Sequence, residues 1–144
     1  MSILWDLPVI LLTGYAAWTD YQRQEIDNWV PLLVLVYGVI LNIFLFPLRF
    51  KESIIYMLVV FAILFTIYIA TNGGLGGGDV KLLTALAFFY GNISIAVLLI
   101  AGIAAFVHAF IKGIKDKTYF STQTIFGPSI FLAVVLTSIF PLQI

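Results

Sequence analysis

The sequence contains no cysteine, only one histidine, and few charged residues, which make up 10% of its 144 positions. The missing cysteines exclude disulfides, thiolate metal sites and cysteine nucleophiles. A lone histidine cannot form a histidine-rich metal centre, so we expect neither a metal nor another cofactor. Seven basic residues balance seven acidic ones. The sequence therefore predicts no nucleic-acid partner, because nucleic-acid-binding domains present a basic face.

Apolar residues make up 62% of the chain, and the mean hydropathy is +1.13. Soluble domains have about 45–50% apolar and about 25% charged residues. This composition excludes a water-soluble globular protein and a disordered chain. It predicts an integral membrane protein, whose partner is the lipid bilayer. The loops are too short for further domains, so residues 1–144 are expected to form one integral-membrane domain.

The apolar runs predict an all-α, polytopic fold, because about 20 apolar residues in a helix cross a bilayer. The fourth run, Val80–Tyr90, is short, since its eleven residues at about 1.5 Å each cover about half the thickness of a bilayer. We predict about six transmembrane helices with a Gly-rich loop before the short fourth: Ile3–Thr19, Trp29–Leu48, Ser53–Thr71, Val80–Tyr90, Ile93–Ile111 and Thr124–Leu142.

The orientation follows from the basic residues, which are in excess in short cytoplasmic loops. With six crossings, five basic residues fall on one side and two on the other, so the first, third and fifth loops are expected in the cytoplasm. If the fourth run did not cross, the bias would invert. In both cases two full spans separate Asp20 from Asp79, which predicts both acids on one membrane face.

Residues 73–78 contain five glycines and lead into Asp79. Because glycine is a poor helix former, we expect irregular backbone, which persists at membrane depth only where protein buries it or water reaches it. One interpretation is a plain turn with Asp79 as an ordinary helix N-cap. The second interpretation is that Asp79 is a functional acid. The half-length helix favours it, because a short helix places Asp79 below the membrane interface, where an acid is costly and is expected to have a function.

Three acids follow the first apolar run. Asp27 and Asn28 directly precede the second predicted helix, which is typical of cap residues. Glu25 is expected to be solvated. Asp20 continues the helical register of the first span, which favours it modestly over Asp27. Near the other end of that span, Asp6 is also expected to be solvated.

Two carboxylic acids on one face suggest an aspartic dyad, because such groups within about 3–4 Å share one proton. The ionised acid takes a proton from water, which attacks a peptide carbonyl, and the protonated acid polarises the carbonyl oxygen. The dipole of the following helix favours Asp79 as the ionised member. The same residues permit a second class of function, a small transporter or channel whose Gly-rich loop binds ions at Asp79.

These residues resemble those of the type IV prepilin leader peptidases, membrane aspartic proteases with a GxGD motif that are related to archaeal preflagellin peptidases. Residues 76–79 match that motif, and Asp20 followed by residues 26–28 matches the family's first motif. The Pro-Phe-Gly-Pro pattern that opens the last helix appears here as Ile125-Phe126-Gly127-Pro128, without its first proline. The resemblance covers nearly the whole chain in order and spacing.

The resemblance implies an aspartic endopeptidase with Asp20 and Asp79 as its catalytic pair. It implies prepilin or pseudopilin substrates of type IV pili or protein secretion, whose short basic leader is cut just before a hydrophobic helix. It also implies a prokaryotic inner membrane and an active site that faces the cytoplasm. Further candidates for binding substrate or shaping the loops are Gly76, Gly78, Lys81, Asp27, Asn28, Gly127 and Pro128. Lys81 is alternatively an interfacial anchor that snorkels.

Large bacterial members of that family carry an N-terminal cysteine zinc site and also methylate the new N-terminus. This chain begins at the first predicted span and lacks cysteine. It therefore resembles the short-form peptidases of tight-adherence pili, and we do not expect methyltransferase activity. Two other hypotheses are less favoured. Presenilin-type proteases usually have a Tyr-Asp motif on a later helix, whereas Thr19-Asp20 lies on the first span, and a non-catalytic assembly protein would not need both acids.

Overall fold

The computed structural model describes residues 3–116 and 125–140, and over these ranges the predicted all-α class is confirmed, with no β-strand. Two single-turn 3-10 helices, Pro47–Arg49 and Gly91–Ile93, precede the third and the fifth α-helix. The α-helices are α1 (Ile3–Arg23), α2 (Trp29–Phe44), α3 (Phe50–Ala70), α4 (Gly77–Tyr90), α5 (Ser94–Asp116) and α6 (Gly127–Ile139).

By length and composition alone, two helical stretches among the described residues are long and apolar enough to cross a membrane. One is Pro47–Ala70, and the other is Gly77–Lys115, which includes the 3-10 turn between α4 and α5. Two shorter apolar helices are Trp29–Phe44 and Gly127–Ile139. The chain therefore has segments suited to a bilayer, and the number of crossings stays a prediction.

The end of α1 and the end of α2 differ from the ends of the predicted spans. Helix α1 continues past Thr19 to Arg23, which places Asp20 inside a helix. Helix α2 ends at Phe44, because Pro47 opens a 3-10 turn and proline cannot donate to a continuing helix. Of the predicted sixth span, Thr124 and Leu142 lie outside the described residues.

Helix α4 is the centre of the bundle and packs between α2 and α3. Its side chains from Leu82 to Tyr90 are buried except for half-buried Thr84, and Leu82 and Leu86 are fully enclosed. A helix buried on all sides needs no polar face, and this agrees with its evenly apolar sequence. Helix α1 packs on α6, and α6 packs on α5. The first turn of α4 is thereby held among the ends of the other helices.

The connections collect at two ends of the bundle. At one, the acid end, Asp20 near the end of α1 contacts Gly127 at the start of α6. At the other, the far end, the Arg49 guanidinium donates a hydrogen bond of 3.0 Å to the carbonyl oxygen of Tyr90. The expectation that Asp6 is solvated is wrong, because its side chain at the far end is only 3% exposed and lies beside Ser138 of α6.

Candidate active site

Asp20 and Asp79 line one cavity at the acid end, the acid cavity, which has a volume of about 290 Å³. Its other walls come from Gln24, from Ile125 and from residues 71–74 and 76 of the glycine-rich connection. A second cavity of about 260 Å³ is also lined by both acids and adds Glu25, Ile26, Asn28, Gly77 and Gly78. The fold thus brings two carboxyl groups that are far apart in sequence to the same partly open cavity.

Asp20 is held by the last turns of α1 and by the start of α6. Its Oδ2 atom accepts a hydrogen bond of 2.6 Å from the backbone N–H of Gly127, and its side chain is only 6% exposed. A Cβ atom at Gly127 would lie 2.8 Å from both Cβ and Oδ2 of Asp20. Position 127 therefore requires glycine, because a side chain would displace the carboxyl group that its N–H binds.

Asp79 occupies the third position of α4, since Gly76 is the N-cap residue and the helix begins at Gly77. The interpretation of Asp79 as an ordinary N-cap is wrong, and so is the expectation that all the glycines are irregular. Its carboxyl group reaches back toward the backbone of Gly76. The side chain is 6% exposed, and its Oδ1 has no hydrogen-bond partner among the described residues.

The three glycines before Asp79 differ in the space around them. A Cβ at Gly76 would lie 2.7 Å from Oδ2 of Asp79, and a Cβ at Gly78 would lie 3.0 Å from Cβ of Ile26. At Gly77 no described atom lies within 4 Å of an added Cβ. The Gly-x-Gly-Asp spacing thus has a steric explanation, in which the outer glycines are confined and the middle position is open.

Helix dipoles do not decide which acid is ionised. Asp79 lies in the first turn of α4, while Asp20 contacts the first N–H of α6, and a negative charge is stabilised at both helix N-termini. The two acids differ more in their hydrogen bonds than in their helix dipoles, because Oδ1 of Asp79 lacks a partner among the described residues. A buried charged oxygen without a donor is costly, and this argues against the dipole-based choice of Asp79 as the ionised member.

Asp27 does not lie beside the two acids, since it is not among the described residues that line either cavity. Its Oδ2 accepts hydrogen bonds of 3.1 Å from the Tyr15 hydroxyl and from the Arg23 guanidinium. Glu25 is exposed, as expected, and lines the second cavity.

Asn28 is at the N-cap position of α2, as the sequence predicts, but its side chain makes no capping hydrogen bond within the described chain. Instead its Oδ1 accepts a hydrogen bond of 2.8 Å from Nζ of Lys81. Lys81 therefore contacts the loop before α2, and the sequence did not predict this partner. Pro128 is exposed in the first turn of α6, where proline is compatible with the helix.

Sequence reasoning missed Gln24 and Asn72, which both line the acid cavity. Their φ angles are +54° and +50°, in the left-handed region that non-glycine residues rarely adopt. Each of them lies just past the end of a helix, α1 or α3, where a left-handed residue commonly closes the last turn. The sequence does not show that these two residues line the cavity, because polar side chains are typical of any loop.

Within residues 3–116 and 125–140, no group of three or more His, Asp or Glu side chains is placed to hold a metal ion. A model of the type IV leader peptidase family matches residues 7–110. The match includes both acids and the glycines before Asp79, and it ends before Gly127. Neither the comparison with curated proteins nor the comparison with solved structures finds a match.

Proposed function

The chain belongs to the type IV leader peptidase family, and we propose that it is an aspartic endopeptidase that removes the short basic leader of prepilin- or pseudopilin-like proteins. A chain of this family is a peptidase, and the family is embedded in the membrane. The observation that carries the proposal is the acid cavity, which is lined by both Asp20 and Asp79, whose side chains are buried.

In the proposed reaction, ionised Asp20 is the base and protonated Asp79 is the acid. The Gly127 N–H stabilises a charge on Asp20, whereas a neutral Asp79 tolerates its unpartnered Oδ1 more readily. A water molecule loses a proton to Asp20 and attacks the scissile carbonyl carbon, while Asp79 protonates the carbonyl oxygen. The tetrahedral intermediate collapses as the C–N bond breaks, Asp20 returns its proton to the amine, and the intermediate's hydroxyl proton returns to Asp79.

A peptide must be extended to reach both acids, and the glycines leave room for its backbone. The two cavities meet at Asp20, Gly76 and Asp79, so they form one trough across the acid pair. The open position at Gly77 leaves space beside this trough. These features support cleavage of an unfolded segment over cleavage inside a folded domain.

We also propose that the acid end faces the cytoplasm of a prokaryotic inner membrane. The basic residues Arg23, Lys81, Lys112 and Lys115 belong to the helix ends that meet at the acid end, whereas Arg49 and Lys51 belong to the far end. This bias matches the excess of Lys and Arg on cytoplasmic sides. A basic leader would then stay in the cytoplasm while the apolar segment of the substrate lies in the bilayer.

The test is co-expression with a prepilin-like protein, read out by size shift and N-terminal sequencing. We expect cleavage at the leader boundary, and a loss of about 10²–10⁴-fold for Asp20→Asn and for Asp79→Asn, because each removes a proton-transfer group. Asp27→Asn is the matched control and should cut at the normal rate, since Asp27 pairs with Tyr15 and Arg23. Cleavage that survives Asp79→Asn in correctly inserted protein would overturn the proposal and favour ion binding at that acid.

A further inference from the structure

A groove runs beside α5 and opens onto the catalytic acid of α4. This α5 groove has a volume of about 290 Å³ and is lined in part by Leu75, Asp79, Gly102, Ala105, Phe106 and Ala109. Because residues three, four and seven apart share one helix face, its α5 members form a single stripe. At 1.5 Å per residue, positions 102–109 extend about 10 Å along the helix axis.

The floor of the α5 groove is made of small residues, and part of it is empty. A Cβ added at Gly102 would meet no described atom within 4 Å, and Ala105 and Ala109 continue the floor toward the glycine-rich connection. Small residues allow two helices to approach closely, and this close packing favours helix association in lipid. The groove is therefore shaped for the side of another helix.

Asp79 gives this groove a second, independent feature. Its side chain is more than nine-tenths buried, it lines the α5 groove as well as the acid cavity, and its Oδ1 has no partner in the described chain. A buried carboxyl oxygen without a hydrogen bond is unfavourable. A ligand that brings a backbone N–H to this point would satisfy it.

The polarity changes from one side of Asp79 to the other. The acid cavity continues along Gln24 and Asn72, which are polar, and it shares Thr71 with the α5 groove. The α5 groove continues along Leu75 and Phe106, and Phe106 is 71% exposed. A peptide that changes from polar to apolar at its scissile bond matches this change of surroundings.

We propose that the α5 groove seats the apolar helix of the substrate that follows the scissile bond, an inference that rests on the proposed leader peptidase function. The helix would pack on Gly102, Ala105 and Ala109, and its N-terminal end would enter the acid cavity at Asp79. Another apolar groove, lined by Pro31, Leu35, Met57 and Phe61 among others, includes neither acid. It cannot continue a chain that is bound at the catalytic pair, so the structure favours the α5 groove.

The absence of cysteine allows a direct test by disulfide cross-linking. Gly102→Cys is placed in the Asp79→Asn background, so that substrate is bound and not cut, and a prepilin carries a single cysteine within two helical turns after its leader. We expect an oxidised enzyme–substrate adduct. The matched control is Val107→Cys, since Val107 is exposed, lies within the same two turns and does not line the groove. Equal adducts from both positions, or none from Gly102→Cys, would overturn the inference.

A kinetic test separates this inference from the proposed function. Gly102→Leu projects a side chain into the groove from a position where an added Cβ meets no described atom within 4 Å, and leucine is the better helix former. We expect kcat/KM to fall at least tenfold for a prepilin with its apolar segment and to stay unchanged for a soluble peptide that ends shortly after the scissile bond. Val107→Phe should change neither. If the wild type cuts and Gly102→Leu cuts the full prepilin equally well, only the inference fails. If the wild type cuts no prepilin, the proposed function itself fails.

Discussion

Helix α1 has a buried aspartate near each end, and the two have different surroundings. Asp6 is 3% exposed and Asp20 is 6% exposed, and both connect α1 to α6. At the far end, Asp6 contacts the Ser138 hydroxyl, which also lies 3.4 Å from the hydroxyl of Tyr90. At the acid end, Asp20 contacts a backbone N–H and lines a cavity. Burial of an acid in an apolar bundle therefore does not by itself identify a catalytic site.

The difference lies in the neighbours that each acid has. Asp6 is packed against side chains, whereas Asp20 and Asp79 are packed against glycines at positions 127 and 76. Glycines bring backbone N–H groups close to a carboxyl group and leave space beside it. The acid end thus combines close backbone contacts with room for a substrate, whereas Asp6 lines none of the cavities described above.

The largest expected effect is the contrast between the two acids of α1. Asp20→Asn should lower cleavage by about 10²–10⁴-fold, because it removes the proposed base. Asp6→Asn should leave cleavage unchanged, since it changes a contact at the far end, about 21 Å away along the helix. The measurement is the initial rate on a prepilin, normalised to inserted enzyme. Comparable losses for both variants would show that the two buried acids are not functionally distinct.

A smaller effect is expected from the glycines that confine the acids. Gly127→Ala places a Cβ 2.8 Å from the Asp20 carboxyl oxygen, and Gly76→Ala places one 2.7 Å from Oδ2 of Asp79. Because a displacement of about 1 Å costs about 10²-fold in rate, we expect losses of that order for each variant.

Gly77→Ala is the matched control for these glycines, because an added Cβ meets no described atom there and alanine favours the first turn of α4. It should cut at the wild-type rate. A loss as large as that of Gly76→Ala would contradict the steric explanation of the Gly-x-Gly-Asp spacing.

The sequence alone predicts the helical class and the glycine-rich approach to Asp79, because both follow from local composition. It does not predict the surroundings of Asp6, because a short-range pattern cannot show that Ser138 lies opposite. The contact of Asp20 with Gly127 spans 107 positions. The bond between Lys81 and Asn28 likewise depends on α4 packing beside α2. What the pattern misses is mostly the choice of hydrogen-bond partner, which only tertiary packing determines.

At the far end, the expected effect is on stability and not on catalysis. Ser138→Ala removes the hydroxyl that contacts both Asp6 and Tyr90, and all three residues are buried. Leaving buried polar groups without a partner costs about 1–3 kcal/mol. We expect a lower unfolding midpoint in detergent and an unchanged cleavage rate. An unchanged midpoint would mean that water or another side chain replaces the hydroxyl.

The smallest effect is expected at the rim of the acid end, where polar contacts are exposed. Lys81 donates to Asn28 across the surface of α4 and α2, and Arg23 pairs with Asp27 at 3.1 Å. Exposed polar pairs contribute about 0.2–1 kcal/mol, because water competes for both partners. Lys81→Met keeps most of the aliphatic stem and should therefore lower stability by no more than that amount, with little change in cleavage. If it instead raised KM strongly while the unfolding midpoint stayed constant, Lys81 would have to contact the substrate, and the site would extend from the two acids across the start of α4 to the loop before α2.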